Sequence, residues 1–206
     1  RVFTQRQQSE LGELSVDILL DGSASQNQQQ EKLSTQAYLI AAALTRCQIP
    51  VRVSSFCSVS GCTVVRVFRD YQEAGKNDAI FDYVAAGWNR DGLAMRAMGW
   101  LMEREQSDHR LLILLSDANP NDDQKIPGSG LHPNRDYGGK LGVQDAAAEA
   151  GVLRKHGLAP VCIFTGSDRE LEGARTIYGR DLVRIPSIGW FADAVGKLIQ
   201  GRIAGF

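Results

Sequence analysis

The chain has 206 residues, 43% of them hydrophobic and 23% charged, so it can bury one substantial core, and residues 1–206 are predicted to form a single soluble domain. The formal net charge of −1 excludes the strongly basic surface used by proteins that bind nucleic acids or anionic membranes. No apolar run approaches the roughly 20 residues that span a bilayer, and no signal segment opens the chain, so we expect a cytoplasmic protein without membrane insertion.

Apolar runs alternate with segments of helical periodicity, which is typical of parallel strands joined by crossover helices. Strands are predicted, in chain order, at residues 16–20, 51–56, 63–68, 111–115, 159–164 and 182–185. Helices are predicted at roughly 28–47, 92–105, 142–156, 169–178 and 189–203. The second and third strands have only a short connector, so they should form an antiparallel hairpin at one edge. The predicted fold class is α/β, a doubly wound, mostly parallel six-stranded sheet with one antiparallel edge strand and helices on both faces.

The second predicted helix carries several large apolar side chains close to helical spacing. They are Met95, Met98, Trp100 and Met102. Because such a stripe is far more often core than a sticky surface, we predict that all four are buried.

Four cysteines are too few for a disulfide framework, so reduced thiols are expected at Cys47, Cys57, Cys62 and Cys162. Cys57 and Cys62 flank the turn-like segment S-V-S-G. A hairpin disulfide or half of a zinc site therefore stays open for this pair.

Three loops near predicted strand ends are rich in side-chain oxygen atoms, and ligands of such sheets bind at the carboxyl edge of the strands. The loops are D-G-S-A-S at 21–25, G-W-N-R-D-G at 87–92 and S-D-A-N-P-N-D-D at 116–123. Hard divalent cations such as Mg²⁺ take oxygen ligands. Each loop alone is also ordinary turn material, and Ser25 could simply cap the next helix. The three loops together favour a divalent-cation site.

These loops resemble a known family. D-G-S-A-S matches the D-x-S-x-S motif of von Willebrand factor A domains, and the Asp that follows L-L-I-L-L-S matches their second metal-binding Asp. More narrowly, N-R-D-G-L-A-M-R at 89–96, N-P-N-D-D at 119–123 and Y-G-G-K-L-G-V-Q-D at 137–145 resemble a bacterial branch. That branch occurs in the nitric-oxide-reductase activation protein and in a subunit of cobalt chelatase.

The resemblance implies a metal-ion-dependent adhesion site that binds Mg²⁺, or Mn²⁺ or Ca²⁺. Its ligands would be Asp21, Ser23, Ser25, Asp91 and Asp117. Many members of the family have Thr where this chain has Asp91, and a further anionic group should weaken the dependence on an acidic residue from the partner. The neighbouring residues predicted to contact a partner are Arg90, Asn119 and Asp122.

The resemblance further implies a non-enzymatic adaptor that works with a MoxR-type AAA+ ATPase in the maturation or metal loading of a client enzyme. Because the chain begins with Arg1 instead of Met, we expect the C-terminal fragment of a longer protein. The segment from 117 to 140 is long for a loop, so it is a candidate recognition element, with mobility expected around 128–134.

The alternative is a Mg²⁺-dependent phosphohydrolase of the haloacid-dehalogenase type. Asp21 would be its nucleophile, Ser116 would bind phosphate, and Asp122 or Asp123 would hold the metal. That chemistry usually needs a second carboxylate two residues after the nucleophile as general acid, and this position is Ser23. A hydroxyl transfers this proton poorly, so the sequence favours the binding domain.

Overall fold

A computed structural model of the chain describes residues 13–105, 107–128, 130 and 133–184. Eight strands are present in this part of the chain: β1 (Leu14–Asp21), β2 (Val51–Val59), β3 (Cys62–Arg69), β4 (His109–Ser116), β5 (Asp122–Ile126), β6 (Arg135–Tyr137), β7 (Leu158–Phe164) and β8 (Leu182–Arg184). Six of them form one sheet in the order β3-β2-β1-β4-β7-β8. Among these six described strands, β3 alone is antiparallel to its neighbour, which is β2. The predicted six-stranded sheet with one antiparallel edge strand is confirmed.

In the described part of the chain, four α-helices flank this sheet: α1 (Gln30–Arg46), α2 (Asp91–Met102), α3 (Gly139–Lys155) and α4 (Leu171–Tyr178). Short 3-10 helices lie at Ala24–Gln29, Asn77–Asp82 and Gly179–Asp181. The helix predicted at 189–203 and the last residue of the strand predicted at 182–185 lie outside the described residues. No helix in the described part of the chain is both long enough and apolar enough to span a bilayer.

Two hydrophobic cores lie on opposite faces of the sheet, because alternate residues of each strand point in opposite directions. In β1, Ile18 packs with the α1 side, whereas Leu19 packs with α2, α3 and α4. Both faces are therefore covered. Strands covered on both faces appear in the sequence as continuous apolar runs, which is why L-L-I-L-L of β4 was recognisable.

The apolar stripe of α2 is only partly buried. Met95, Met98 and Met102 are completely buried, but Trp100 is 55% exposed, so its predicted burial is wrong. The three methionines are spaced by three and four residues and share one face, whereas Trp100 follows Met98 by two residues and points away from it. The guanidinium of Arg104 lies 3.7 Å from the centre of the Trp100 ring.

A two-stranded ribbon, β5 and β6, occupies much of the segment predicted as a long loop. Asp122 pairs with Tyr137 and Ile126 pairs with Arg135. The loop prediction is wrong for these residues, because the ribbon depends on contacts with other loops more than on strand periodicity. Part of the predicted mobile stretch, at positions 129, 131 and 132, lies outside the described residues.

The cysteines are free thiols. In the β2–β3 hairpin, Cys62 lies opposite Val59 and Cys57 lies opposite Val64, so the two thiols are not a directly facing pair. The disulfide that the sequence left open is absent.

A buried ion pair lies toward the other end of β1. Arg52 Nε donates to Asp17 Oδ1 at 2.7 Å, and the Tyr71 hydroxyl donates to the other oxygen of Asp17. The Arg52 guanidinium also lies 4.7 Å from the centre of the Tyr71 ring. Burial raises the pKa of Asp17 to about 6, although Arg52 and Tyr71 favour the ionised carboxylate.

Candidate metal-binding site

Asp21 forms the floor of the candidate site, at the carboxyl end of β1. Its side chain is completely buried. The backbone N–H of Ser23 donates to Asp21 Oδ1 at 2.9 Å, and the Ser116 hydroxyl donates to Oδ2 at 2.8 Å. The parallel register places Leu20 beside Leu115, so the ends of β1 and β4 meet at this point. Asp21 therefore joins the first and third predicted loops.

Ser23 and Ser25 present adjacent hydroxyls above this floor, with their Oγ atoms 2.9 Å apart. Neither the 3-10 helix that starts at Ala24 nor α1 has a side-chain cap hydrogen bond. The helix-capping explanation for Ser25 is therefore wrong. Both hydroxyls keep lone pairs that a cation could use.

Asp91 is the first residue of α2 and is completely buried. Within the described part of the chain, neither of its carboxylate oxygens accepts a well-aligned hydrogen bond, although the Asn89 amide lies nearby. An unpartnered buried carboxylate is costly, and buried polar groups in native proteins nearly always have a partner. Asp91 is thus the residue of the site that most needs a proton or a cation.

Asp117 completes the acidic set directly after β4 and is 8% exposed. It accepts a hydrogen bond from the backbone N–H of Asn119 at 3.1 Å. The next residue, Ala118, has a left-handed backbone with φ of 54°, and its N–H donates to the Ser116 hydroxyl at 2.9 Å. Such strain in a residue other than Gly tends to occur at functional sites.

Burial and mutual repulsion disfavour the ionised forms of these three carboxyls. Burial, followed by the charge of Asp117, raises the pKa of Asp21 to about 6. Burial and the charges of Asp21 and Asp117 raise the pKa of Asp91 well above its usual value, and the nearby Asn89 amide only partly offsets this. Burial also raises the pKa of Asp117, and Glu170 adds to the effect. A bound cation would relieve both the desolvation and the repulsion.

A cavity of about 350 Å³ opens above this floor. Its lining residues are Ser23, Ala24, Ser25, Gly87, Trp88, Asn89, Asn119 and Asn121. The segments containing Asn89 and Asn121 are joined by two backbone hydrogen bonds of 2.9 Å. The second and third predicted loops therefore meet at the mouth of the cavity.

The three residues predicted to contact a partner occupy different environments. Asn119 is exposed and lines the cavity. Arg90 forms an ion pair with Asp122, whose side chain is only 1% exposed, and donates to the Gln124 carbonyl at 2.7 Å. The guanidinium also lies 4.6 Å from the centre of the Tyr137 ring. Arg90 and Asp122 thus hold the β5–β6 ribbon beside the site, and their contact with a partner stays a prediction.

Sequence reasoning missed several residues that shape the site. Asn89 and Asn121 line the cavity, the Tyr83 hydroxyl donates to the backbone oxygen of Asp21, and the buried Gln26 accepts a hydrogen bond from Thr165 at 3.2 Å. Asn89 lies in the same loop as Asp91, so the motif in this loop could have indicated it. Tyr83 and Gln26 carry no local signal, because their roles depend on distant parts of the chain.

The side chains that meet here are of the kinds that hard divalent cations bind. Three carboxylates and two neighbouring hydroxyls come from three loops, and one carboxylate has no other partner. Within the described residues, no group of three or more His, Cys, Asp or Glu side chains has an arrangement suited to a metal ion. The three carboxylates do not by themselves form a metal site, so a cation here would also need the hydroxyl oxygens of Ser23 and Ser25.

Replacing Asp91 with Asn should stabilise the metal-free domain by about 1–3 kcal/mol, because it removes a buried and unpartnered charge. In a chelating buffer this should raise Tm by about 2–4 °C per kcal/mol, measured by circular dichroism. The matched control is Asp136→Asn, where the side chain is 87% exposed and Tm should not change. A lower Tm for Asp91→Asn would show that Asp91 has a stabilising partner.

Gly22 is needed for the close approach of the first loop to β2. Its N–H donates to the Phe56 carbonyl oxygen at 2.7 Å, and an added Cβ would lie 2.7 Å from that same oxygen. We expect Gly22→Ala to displace the Asp21–Ser25 loop and to weaken Mg²⁺ binding by about tenfold or more, measured by isothermal titration. Gly75→Ala is the control, since nothing lies within 4 Å of its added Cβ. Equal Mg²⁺ affinity in both variants would contradict the role of Gly22.

No protein-family model matches this chain, and no curated protein matches it. Several solved structures, however, have a similar fold. The vWF domain of the type V pili tip protein Mfa5 from Porphyromonas gingivalis has a TM-score of 0.69 at 10% identity, over 93% of this chain and 97% of that chain. The SpRpn10 VWA domain has a TM-score of 0.56 at 14% identity, over 90% of this chain and 95% of that chain.

The pilus adhesin SpaC from Lactobacillus rhamnosus GG, in its open conformation, has a TM-score of 0.67 at 13% identity. The alignment covers 94% of this chain but 30% of the SpaC chain, so this chain spans less than a third of that protein. At these identities the likeness concerns the fold. The chain has the von Willebrand factor A fold.

Proposed function

We propose that this chain, built on a von Willebrand factor A fold, is a protein-binding domain whose contact with its partner is completed by a divalent cation. The cation would be Mg²⁺, or Mn²⁺ or Ca²⁺, held by Asp21, Ser23, Ser25, Asp91 and Asp117. The observation that carries the proposal is the buried carboxylate of Asp91, which accepts no well-aligned hydrogen bond from any described residue while it lies beside two other carboxylates. A cation supplies the partner that Asp91 lacks.

Each part of the chain has a separate role in this proposal. Ser23 and Ser25 offer neutral oxygens, and Asp21 holds the Ser23 backbone in place by accepting its N–H. The ribbon, held by the Arg90–Asp122 ion pair, provides one wall of the cavity through Asn121. When bound, the cation supplies a coordination position that an oxygen atom of a partner protein can fill.

A binding role suits these residues better than catalysis. The Asp21 carboxylate is buried and accepts hydrogen bonds at both oxygens, so it is poorly placed to attack a phosphate ester. Ser23 stands where the general acid would be needed. Asp122, one of the two candidate metal ligands of the phosphohydrolase alternative beside Asp123, is engaged by Arg90. We therefore propose that the chain is not an enzyme.

The finer proposal is an adaptor for a MoxR-type AAA+ ATPase and a client enzyme in the cytoplasm. It depends on the resemblance of the three motif segments to the nitric-oxide-reductase activation protein and to a cobalt-chelatase subunit. In this role the open coordination position would capture an oxygen atom of the ATPase or of the client.

Co-precipitation with the MoxR-type ATPase of the same organism tests this proposal. Capture is expected with Mg²⁺, and it should be lost in a chelating buffer and with the Asp117→Ala variant. Capture that is insensitive to both changes would remove the role of the metal. A parallel assay with p-nitrophenyl phosphate should show no turnover, and Mg²⁺-dependent turnover that Asp21→Asn abolishes would instead establish the phosphohydrolase.

A further inference from the structure

The charges around the candidate site are predominantly negative. Asp21, Asp91 and Asp117 lie close enough to repel one another, so a divalent cation among them would face three formal negative charges, with a net charge of −1 before any partner arrives. Glu170 adds a further negative charge near Asp117. Because like charges repel, another carboxylate is a poor final ligand for this cation.

Among the residues that the structure describes, none that lines the mouth of the cavity carries a positive charge to offset this excess. None of its lining residues is Lys or Arg. Arg90 adjoins Asp91 in the sequence, but its guanidinium is engaged by Asp122 and by the Gln124 carbonyl oxygen. A carboxylate from a partner would therefore enter the mouth without a cationic side chain to receive it.

The mouth is instead lined by neutral amides and one aromatic ring. Asn119 and Asn121 border the opening together with Trp88, which is 41% exposed. Asn89 also lines the cavity, but it is buried, and its carboxamide contacts Asp21 and accepts the Asn121 N–H. A carboxamide has both donor and acceptor atoms, which match the amide group of a peptide or of an Asn or Gln side chain. Trp88 adds an apolar surface against which a peptide can pack.

We infer that the partner completes the cation's coordination with a neutral amide carbonyl oxygen, from the backbone or from a carboxamide side chain, and not with a carboxylate. This inference rests on the proposed metal-binding function and specifies the ligand class of the same site. The preference for an amide oxygen over a carboxylate depends on Asp91. No cationic side chain among the described residues is paired with its buried carboxylate, so on metal binding Asp91 contributes the charge that an acidic partner would otherwise supply.

The test uses the full chain loaded with Mn²⁺, with metal occupancy measured by electron paramagnetic resonance. Acetamide, N-methylacetamide and acetate, each labelled with ¹³C at the carbonyl carbon, are added at equal concentration, and the paramagnetic increase in ¹³C relaxation rate is measured. Acetamide represents an Asn or Gln side chain, and N-methylacetamide represents the peptide backbone. We expect at least one amide to be relaxed more strongly than acetate.

The Asp91→Asn variant should shift the ratio of acetate to amide relaxation toward acetate by about fivefold, the effect of removing one unit charge at about 4 Å in water. Asp136→Asn makes the same change of net charge at a side chain that is 87% exposed and should leave the ratio unchanged. With Mn²⁺ bound, stronger relaxation of acetate in the unmodified chain, no relaxation of either amide, or an unchanged ratio in Asp91→Asn would each overturn the inference. Failure to bind Mn²⁺ would overturn the proposed function as well, so the two failures are distinguishable.

Discussion

Replacing Asp117 or Asp21 with Asn is expected to lower the affinity for Mg²⁺ by about 10- to 100-fold or more, while the fold is retained. Each substitution removes a negative charge that would balance the cation. Asp21→Asn also changes a contact that holds the loop of Ser23 and Ser25, because Asp21 accepts the Ser23 N–H. Asp117→Asn also removes a charge that acts on Asp21. Isothermal titration with Mg²⁺ and with Mn²⁺ measures the loss directly.

The fold should survive because Asn retains the shape and one acceptor oxygen of Asp. Circular dichroism should therefore give unchanged spectra for both variants. Asp136→Asn, on the exposed ribbon, is the charge-matched control and should bind Mg²⁺ like the unmodified chain. Unaltered Mg²⁺ affinity in both Asp117→Asn and Asp21→Asn would mean that the three loops do not form a cation site.

The second large effect concerns stability. Asp17→Ala should lower the free energy of unfolding by about 3–5 kcal/mol at neutral pH, because it leaves the buried charge of Arg52 without its partner. It also deprives the Tyr71 hydroxyl of its acceptor. For a chain of this size the expected loss in Tm is about 2–4 °C per kcal/mol. Chemical denaturation monitored by circular dichroism measures the change.

An exposed ion pair provides the control for Asp17. The Asp82 carboxylate lies 3.9 Å from Arg66 and its side chain is 69% exposed, so Asp82→Ala should cost less than about 1 kcal/mol. Equal losses in the two variants would show that the Asp17–Arg52 pair behaves like a surface pair despite its burial.

The same carboxyl should make stability depend on pH. Burial raises the pKa of Asp17 from 3.8 to about 6 in the folded protein. Between these values the folded state holds more protons than the unfolded chain, so stability falls as the pH rises through this window. Asp17→Asn removes this contribution, and its unfolding free energy should therefore fall less steeply between pH 4 and 6 than that of the unmodified chain. Identical slopes would contradict the raised pKa.

Much of the sheet could be predicted because its strands are buried on both faces. The apolar run from Leu111 to Leu115 has this origin, and the short connector between β2 and β3 made their antiparallel pairing foreseeable. The ribbon could not be predicted in the same way. Its strands are short and largely polar, and an ion pair between Arg90 and Asp122 anchors it.

The candidate site likewise has a part that the sequence predicted and a part that it did not. The five proposed ligands were named from local motifs, and the structure brings them to one edge of the sheet. The asparagines at the mouth and the absence of a hydrogen-bond partner for Asp91 were beyond sequence reasoning. Both depend on which side chains approach one another after folding.

The sequence by itself determined the alternation of strands and helices, and with it the edge of the sheet at which the oxygen-rich loops meet, because apolar periodicity is a local property of the chain. The tertiary structure alone decided which of these oxygens are paired. Asp21 accepts a hydrogen bond from Ser116 across 95 positions of sequence, whereas Asp91 accepts no well-aligned one from the residues that the structure describes. Hydrogen-bond partners and electrostatic neighbours come from distant segments, and no pattern within a single loop encodes them.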